Sequence, residues 1–146
     1  MVLKNFTEWL APGDGETKDP SPKLPPRVGA AGLLIAAAHR EGRFTDVEKD
    51  LVAAALMKLF MLTNPDARAL REEAEKELFE NGRSFVDFAA AAKELDRDEQ
   101  EALVTHIWRI VDLEEKVDGE HPFVSSVRDY LGFTKEQAEA LRPAED

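Results

Sequence analysis

The chain has 146 residues, 43% hydrophobic and 34% charged, which is typical of one soluble globular domain. Its formal net charge of −11 disfavours nucleic acids and acidic membranes as partners and favours cations or a basic protein surface. The absence of cysteine excludes disulfides, thiolate zinc sites and cysteine nucleophiles, and with no signal-like segment it predicts a cytoplasmic protein.

Residues 1–27 are predicted to form a short amphipathic helix and a linker. Met1–Leu10 has apolar residues at helical spacing: Val2, Leu3, Phe6, Trp9 and Leu10. Ala11–Arg27 is rich in proline, glycine and charge, so it cannot continue the helix. We expect the helix to pack on the main domain, or else to contact a partner or a lipid surface through Trp9. Membrane contact is expected only through this helix.

Residues 28–146 are predicted to form one helical bundle, because the hydrophobic period is helical and no alternating strand pattern is found. Val28–Glu41 is apolar on all sides near its middle, which predicts a central buried helix. Gly42 ends this helix. The sequence Thr45-Asp46-Val47-Glu48 then forms a capping box, which predicts the start of the next helix.

The later helices are predicted from residues that favour helix starts: Asn64, Ser84, Asp96, His121 and Thr134. Seven or so helices with short connections predict an all-α single-domain bundle. Within it we expect Trp108 at the border of the core, His39 at an edge and His106 on an exposed face.

Two stretches, Leu34–Lys58 and Ile107–Leu131, look like diverged copies of one helix–turn–helix. When Glu41 is placed on Glu114, Glu48 falls on His121. In each copy an acid that ends one helix is followed seven residues later by a ligand-type residue that opens the next. Two such turns in one small domain could face each other.

Carboxylates from two turns are the kind of ligand set that Ca²⁺ and Mg²⁺ prefer, whereas an imidazole would shift the preference towards zinc. The candidate metal ligands are Glu41, Asp46, Glu48, Glu114, Asp118 and His121. Structural roles compete with this interpretation. Glu48 completes the capping box, Asp46 complements a helix dipole, and His121 could be an exposed cap.

The first turn, Glu41-Gly42-Arg43-Phe44 followed by Glu48, resembles that of the tellurite-resistance TerB-like family, which runs Asp-Gly-x-apolar with a glutamate seven residues after the aspartate. Leu103–Phe133, with Trp108, an acidic turn and the ending Leu131-Gly132-Phe133, resembles the second half of that family. The resemblance covers about Val28 to Leu141. It implies a helical bundle with an acidic, metal-binding patch, a part in resistance to toxic oxyanions, and no established catalytic reaction.

The chain departs from the family pattern at several positions. Glu41 replaces the aspartate of the first turn, and in the second turn Glu114 and His121 replace an aspartate and a glutamate. A second register places Asp118-Gly119 on the Asp-Gly of the family instead. Both registers are open at this point.

Motifs for other chemistries are incomplete. An EF-hand starting at Asp112 would have Lys116 at a ligand position and Val117 where glycine is needed. There is no phosphate-binding glycine loop, and Ser125-Ser126 would have only His121 as a base. We therefore predict no enzyme activity. We expect a stress-resistance protein that binds a divalent cation (Ca²⁺, Mg²⁺ or Zn²⁺) or, as the alternative, an interaction module that docks a basic protein partner without metal.

Overall fold

The computed structural model describes residues 23–39, 43–113 and 121–143, together with the backbone of Glu114. Within these ranges the chain forms seven α-helices and no β-strand, so the predicted all-α fold is confirmed. The helices are α1 (Pro26–Ala38), α2 (Asp46–Phe60), α3 (Asn64–Glu75), α4 (Phe85–Ala92), α5 (Arg97–Glu114), α6 (Pro122–Leu131) and α7 (Lys135–Ala140). A π-helical turn, Lys76–Glu80, extends α3. The predicted N-terminal helix lies outside the described residues.

The predicted central helix is α1, in which every residue from Val28 to Ala38 is buried. It contacts α2, α3, α4 and α5. Its closest neighbour is α4. A Cβ atom at Gly29 would lie 2.6 Å from the carbonyl oxygen of Phe88 and 2.7 Å from the backbone nitrogen of Ala92. Glycine in α1 therefore allows two helix backbones to touch in the middle of the core.

Local capping explains where most helices begin. The predicted capping box at the start of α2 is present. The backbone N–H of Thr45 donates to Glu48 Oε1 at 2.8 Å, and Thr45 Oγ1 accepts from the backbone N–H of Glu48 at 3.2 Å. Ser84, Asp96 and Thr134 make similar pairs with the third residue of α4, α5 and α7.

The start of α3 differs by one residue from the prediction. Thr63, not Asn64, is the cap, and its Oγ1 accepts from the backbone N–H of Asp66 at 3.3 Å. Asn64 is already helical, which leaves Pro65 in the first turn, where its missing N–H has no cost. Thr63 and Asn64 are both residue types that cap helices, and the hydroxyl of Thr63 is the group that accepts the capping bond from Asp66.

Helices α1 and α5 both pack antiparallel to α2. The guanidinium of Arg27, in the first turn of α1, lies 4.8 Å from the ring centre of Phe60 at the end of α2. Lys58 of α2 lies near enough to His106 of α5 to lower its pKa, and Leu51 of α2 and Leu113 of α5 both line a groove between these two helices. These contacts show that both α1 and α5 run antiparallel to α2.

Helix α6 runs antiparallel to α5. Arg97, at the start of α5, donates from Nη1 to the carbonyl oxygen of Leu131, at the end of α6, at 3.0 Å. The C-terminal ends of α1 and α5 and the N-terminal ends of α2 and α6 thus lie at one end of the bundle. We call it the turn end, marked by His39, Asp46, Glu114 and His121. The opposite end, where α1 and α5 begin, is the linker end.

Trp108 is inside the core, 2% exposed, and not at its border as expected. Its indole Nε1 donates to the carbonyl oxygen of Ala138 at 2.9 Å, and the guanidinium of Arg142 lies 4.3 Å from its ring centre. The C-terminal segment covers the outer face of α5 and so buries the ring. Across the described ranges, no helix combines the length and the apolar character that crossing a membrane demands.

Candidate functional site

Four of the six candidate ligands belong to helices that begin or end at the turn end. Asp46 and Glu48 lie in the first turn of α2, Glu114 is the last residue of α5, and His121 is the N-cap of α6. Glu41, Asp118 and the side chain of Glu114 lie outside the described residues.

Glu48 is the best defined of these residues. It is only 7% exposed, and its Oε1 accepts from the backbone N–H of Thr45 at 2.8 Å. The capping role proposed for it is therefore real. A carboxylate has about four lone-pair positions, so one capping bond leaves acceptor capacity for a cation. Asp46, by contrast, is exposed.

Glu48 has a neighbour that the sequence did not identify as part of the site. His39, which follows α1, is 6% exposed, although an edge position was expected. Its ring lies 5.5 Å from that of Phe79 in the π-helical turn, and Phe79 also contacts Phe44 at 6.2 Å. Burial lowers the pKa of His39, and the carboxylate of Glu48 raises it by a smaller amount. The sequence signal for placing His39 near the site was its position at the end of a buried helix, two residues before the candidate ligand Glu41.

His121 is a buried cap, 7% exposed, and not an exposed one. Its Nδ1 accepts from the backbone N–H of Phe123 at 3.1 Å. The ring folds back onto the first turn of α6 to make this bond, which removes it from water. A neutral imidazole that accepts at Nδ1 carries its proton on Nε2, so neither nitrogen offers a lone pair to a metal. His121 could ligate a cation only after this capping bond is broken.

The start of α6 also bears on the two sequence registers. Thr45 and His121 are the N-caps of α2 and α6. Matching these caps gives an alignment one residue from the register that pairs Glu41 with Asp118, and three residues from the register that pairs Glu41 with Glu114. Glu48, the third residue of its helix, is therefore not the structural counterpart of the cap His121.

The described side chains do not form a metal site by themselves. Within residues 23–39, 43–113 and 121–143, no group of three His, Asp or Glu side chains is arranged to hold an ion. Of the candidate ligands, Asp46 and Glu48 lie at the start of α2 and His121 at the start of α6. Glu41, Glu114 and Asp118 belong to the stretches 40–42 and 114–120, which connect α1 to α2 and α5 to α6.

Comparison with known protein families gives a match. The family model of the tellurite resistance protein TerB matches residues 27–143, from the first turn of α1 to beyond the end of α7. No curated protein and no solved structure gives a significant match. The chain, as its two turns and helix order indicated, belongs to the TerB family.

Proposed function

We propose that this chain is a resistance-related TerB protein that binds a divalent cation at the turn end. One observation carries the proposal. The helix ends that flank the α1–α2 and α5–α6 connections lie at the same end of the bundle, and the sequence of each connection contains acids. Family membership supports the resistance-related part. A cytoplasmic location, expected from the lack of cysteine, belongs to the same proposal.

Carboxylates would hold the ion. The first connection would contribute Glu41, the first turn of α2 would contribute Asp46 and Glu48, and the end of α5 with the second connection would contribute Glu114 and Asp118. All donors are then oxygens, which suits Ca²⁺ or Mg²⁺ better than zinc. The capping bond of His121 argues in the same direction, because it occupies the imidazole. We assign no catalytic step to this set, because metal-assisted water activation needs a base positioned in a cleft and the proposal includes no such base.

The first prediction tests Glu48. Glu48→Gln removes the charge and keeps the capping box, because Gln137 makes both bonds of such a box with Thr134 in α7. We expect Ca²⁺ or Mg²⁺ to bind on the order of tenfold more weakly, since ligand charge tunes affinity. Calorimetry gives the affinity, and NMR amide shifts at residues 43–48 give the location.

Glu99→Gln is the matched control. Glu99 is also the third residue of its helix, and its backbone N–H donates to Asp96 Oδ1 at 2.8 Å, but it lies at the linker end. We expect this variant to bind like the wild type. Equal weakening in both variants would indicate a diffuse charge effect, and no saturable shift in the wild type at millimolar metal would remove the proposal.

The alternative function is docking of a basic protein without metal. It is favoured by the net charge of −11 and by the exposed carboxylates of Asp46 and Asp50 beside the first connection. Such binding would weaken with rising salt and would survive a metal chelator. Charge reversal at Glu41, Asp46 and Glu114 should abolish it; Glu48 is left unchanged because its carboxylate completes the cap of α2. A complex that these substitutions leave unchanged would contradict this function.

A further inference from the structure

A shallow apolar groove of about 200 Å³ runs between α2 and α5. On the α2 side it is lined by Leu51, Ala54 and Lys58, and on the α5 side by His106, Ile110 and Leu113. Within each set the residues are three or four positions apart, so each helix presents one continuous face. An apolar groove between two helices is a common docking site for the apolar face of an amphipathic helix.

Apolar surface remains uncovered along this groove. Leu113 is 68% exposed, and Val47, one turn before Leu51 on the same face of α2, is 70% exposed. Among the described residues, three large hydrophobic side chains are at least 68% exposed, and these are two of them. Apolar residues that cluster at a groove, unlike isolated ones, mark a surface that another element covers.

We propose that Met1–Leu10 of the same chain packs into this groove as an amphipathic helix. Its apolar residues Val2, Leu3, Phe6, Trp9 and Leu10 fall on one stripe, and Lys4 and Glu8 fall on the opposite side. A helix of this length spans about 15 Å, and the groove face from Leu51 to Lys58 spans about 10 Å. The segment therefore has the stripe and the length that the groove requires.

The linker between Met1–Leu10 and α1 ends close to the groove. Lys23 begins the described structure at the linker end, where its Nζ lies 2.6 Å from Glu94 Oε2. Four residues later, Arg27 stacks on Phe60, and the groove begins two residues away at Lys58. Residues 11–22 can extend to about 40 Å, which is more than enough to reach it.

Tethering also favours this segment over a second copy of the chain. A short flexible linker gives an attached segment an effective concentration on the order of millimolar. A segment from another molecule would have to reach a similar concentration to compete. The geometry therefore points to intramolecular packing.

Paramagnetic NMR on the full chain tests this packing. The protein has no cysteine, so Asn5→Cys creates a single attachment point for a nitroxide at the border of the apolar stripe. We expect a severalfold loss of amide intensity at Leu51, Ala54 and Leu113. Full intensity at these three amides would overturn the proposal.

Two variants separate specific packing from random contact. Ala54→Glu places a charge inside the groove, and Ala69→Glu makes the same change on the outer face of α3; both alanines are exposed, so both variants should fold. We expect the first substitution to restore the amide intensities and the second to leave them reduced. Equal intensities in the two variants would contradict the proposal.

A mixing experiment distinguishes one chain from two. Spin-labelled chain without isotope is added to isotope-labelled chain without the nitroxide. We expect no loss of intensity at the groove amides. A loss there would show that the segment comes from a second copy and would overturn intramolecular packing.

Discussion

The protonation of His106 links a single residue to the stability of the whole protein. This half-buried imidazole of α5 lies in the groove with Arg109 on its own helix and Lys58 on α2. Burial, followed by these two cations, lowers its pKa to about 4 from the ordinary value of 6.5. It was expected on an exposed face, and the contact with α2 is the reason that it is not.

The second prediction follows from this pKa. As pH falls, the unfolded chain protonates His106 at a pKa near 6.5, while the folded chain keeps it neutral. The stability that depends on neutral His106 is therefore complete above about pH 6.5 and is lost as pH falls towards 4. Allowing for partial exposure, the wild type should lose about 1–2 kcal/mol more than His106→Gln between about pH 7.5 and 5. Urea unfolding at both pH values measures this; equal losses would contradict it.

Residues whose role depends on near neighbours in the chain could be predicted from the sequence. The Thr45–Glu48 box is an example, because both partners lie within four residues. The burial of His39 could not be predicted, because the residue that covers it, Phe79, comes from a distant part of the chain. The capping bond of His121 is local, but histidine is an uncommon cap, and the sequence was compatible with either a metal ligand or an exposed cap at this position.

At the scale of helices, the third prediction concerns the contact between α1 and α4 and the stability that depends on it. Gly29→Ala gains about 1 kcal/mol of helix propensity. The added methyl group meets the backbone of Phe88 and Ala92, which cannot rotate away, and such overpacking costs about 1–3 kcal/mol. We expect a net loss of stability, about 1 kcal/mol, in chemical denaturation. A variant as stable as the wild type would show that α4 moves aside.

Helix positions could be predicted better than helix ends. The expected central helix, Val28–Glu41, is observed as Pro26–Ala38, since its apolar period is long and unbroken. The π-helical turn after α3 could not be predicted, because one additional residue in a turn hardly changes the period of the charged sequence around it.

At the scale of the whole molecule, the net charge of −11 makes the fourth prediction. Like charges repel in the compact state, so raising NaCl from about 20 to about 200 mM, which shortens the Debye length to below about 10 Å, should raise Tm. Calorimetry measures the change. CaCl₂ or MgCl₂ at matched ionic strength should raise Tm further, because a bound ion stabilises only the folded chain. Equal midpoints in the two salts would count against the cation site.

Fold class follows from helical periodicity, but the side-by-side arrangement of the helices does not. The sequence predicted that two turns could face each other, and the antiparallel order of α1, α2, α5 and α6 brings the flanking helix ends together at the turn end. Which side chains then approach each other depends on residues 40–42 and 115–120 and on packing angles that no local pattern encodes.

The π-helical turn Lys76–Glu80 has a consequence for tolerated changes in chain length. A turn closed by a bond from the backbone N–H of Asn81 to the carbonyl oxygen of Lys76 holds one residue more than an α-turn. Deleting one residue here would let the turn close as ordinary α-helix. The same deletion between Ala67 and Ala74 would rotate the buried face of α3 by about 100°. Deletion scanning should therefore find a tolerant point at residues 76–80, next to an intolerant stretch of the same helix.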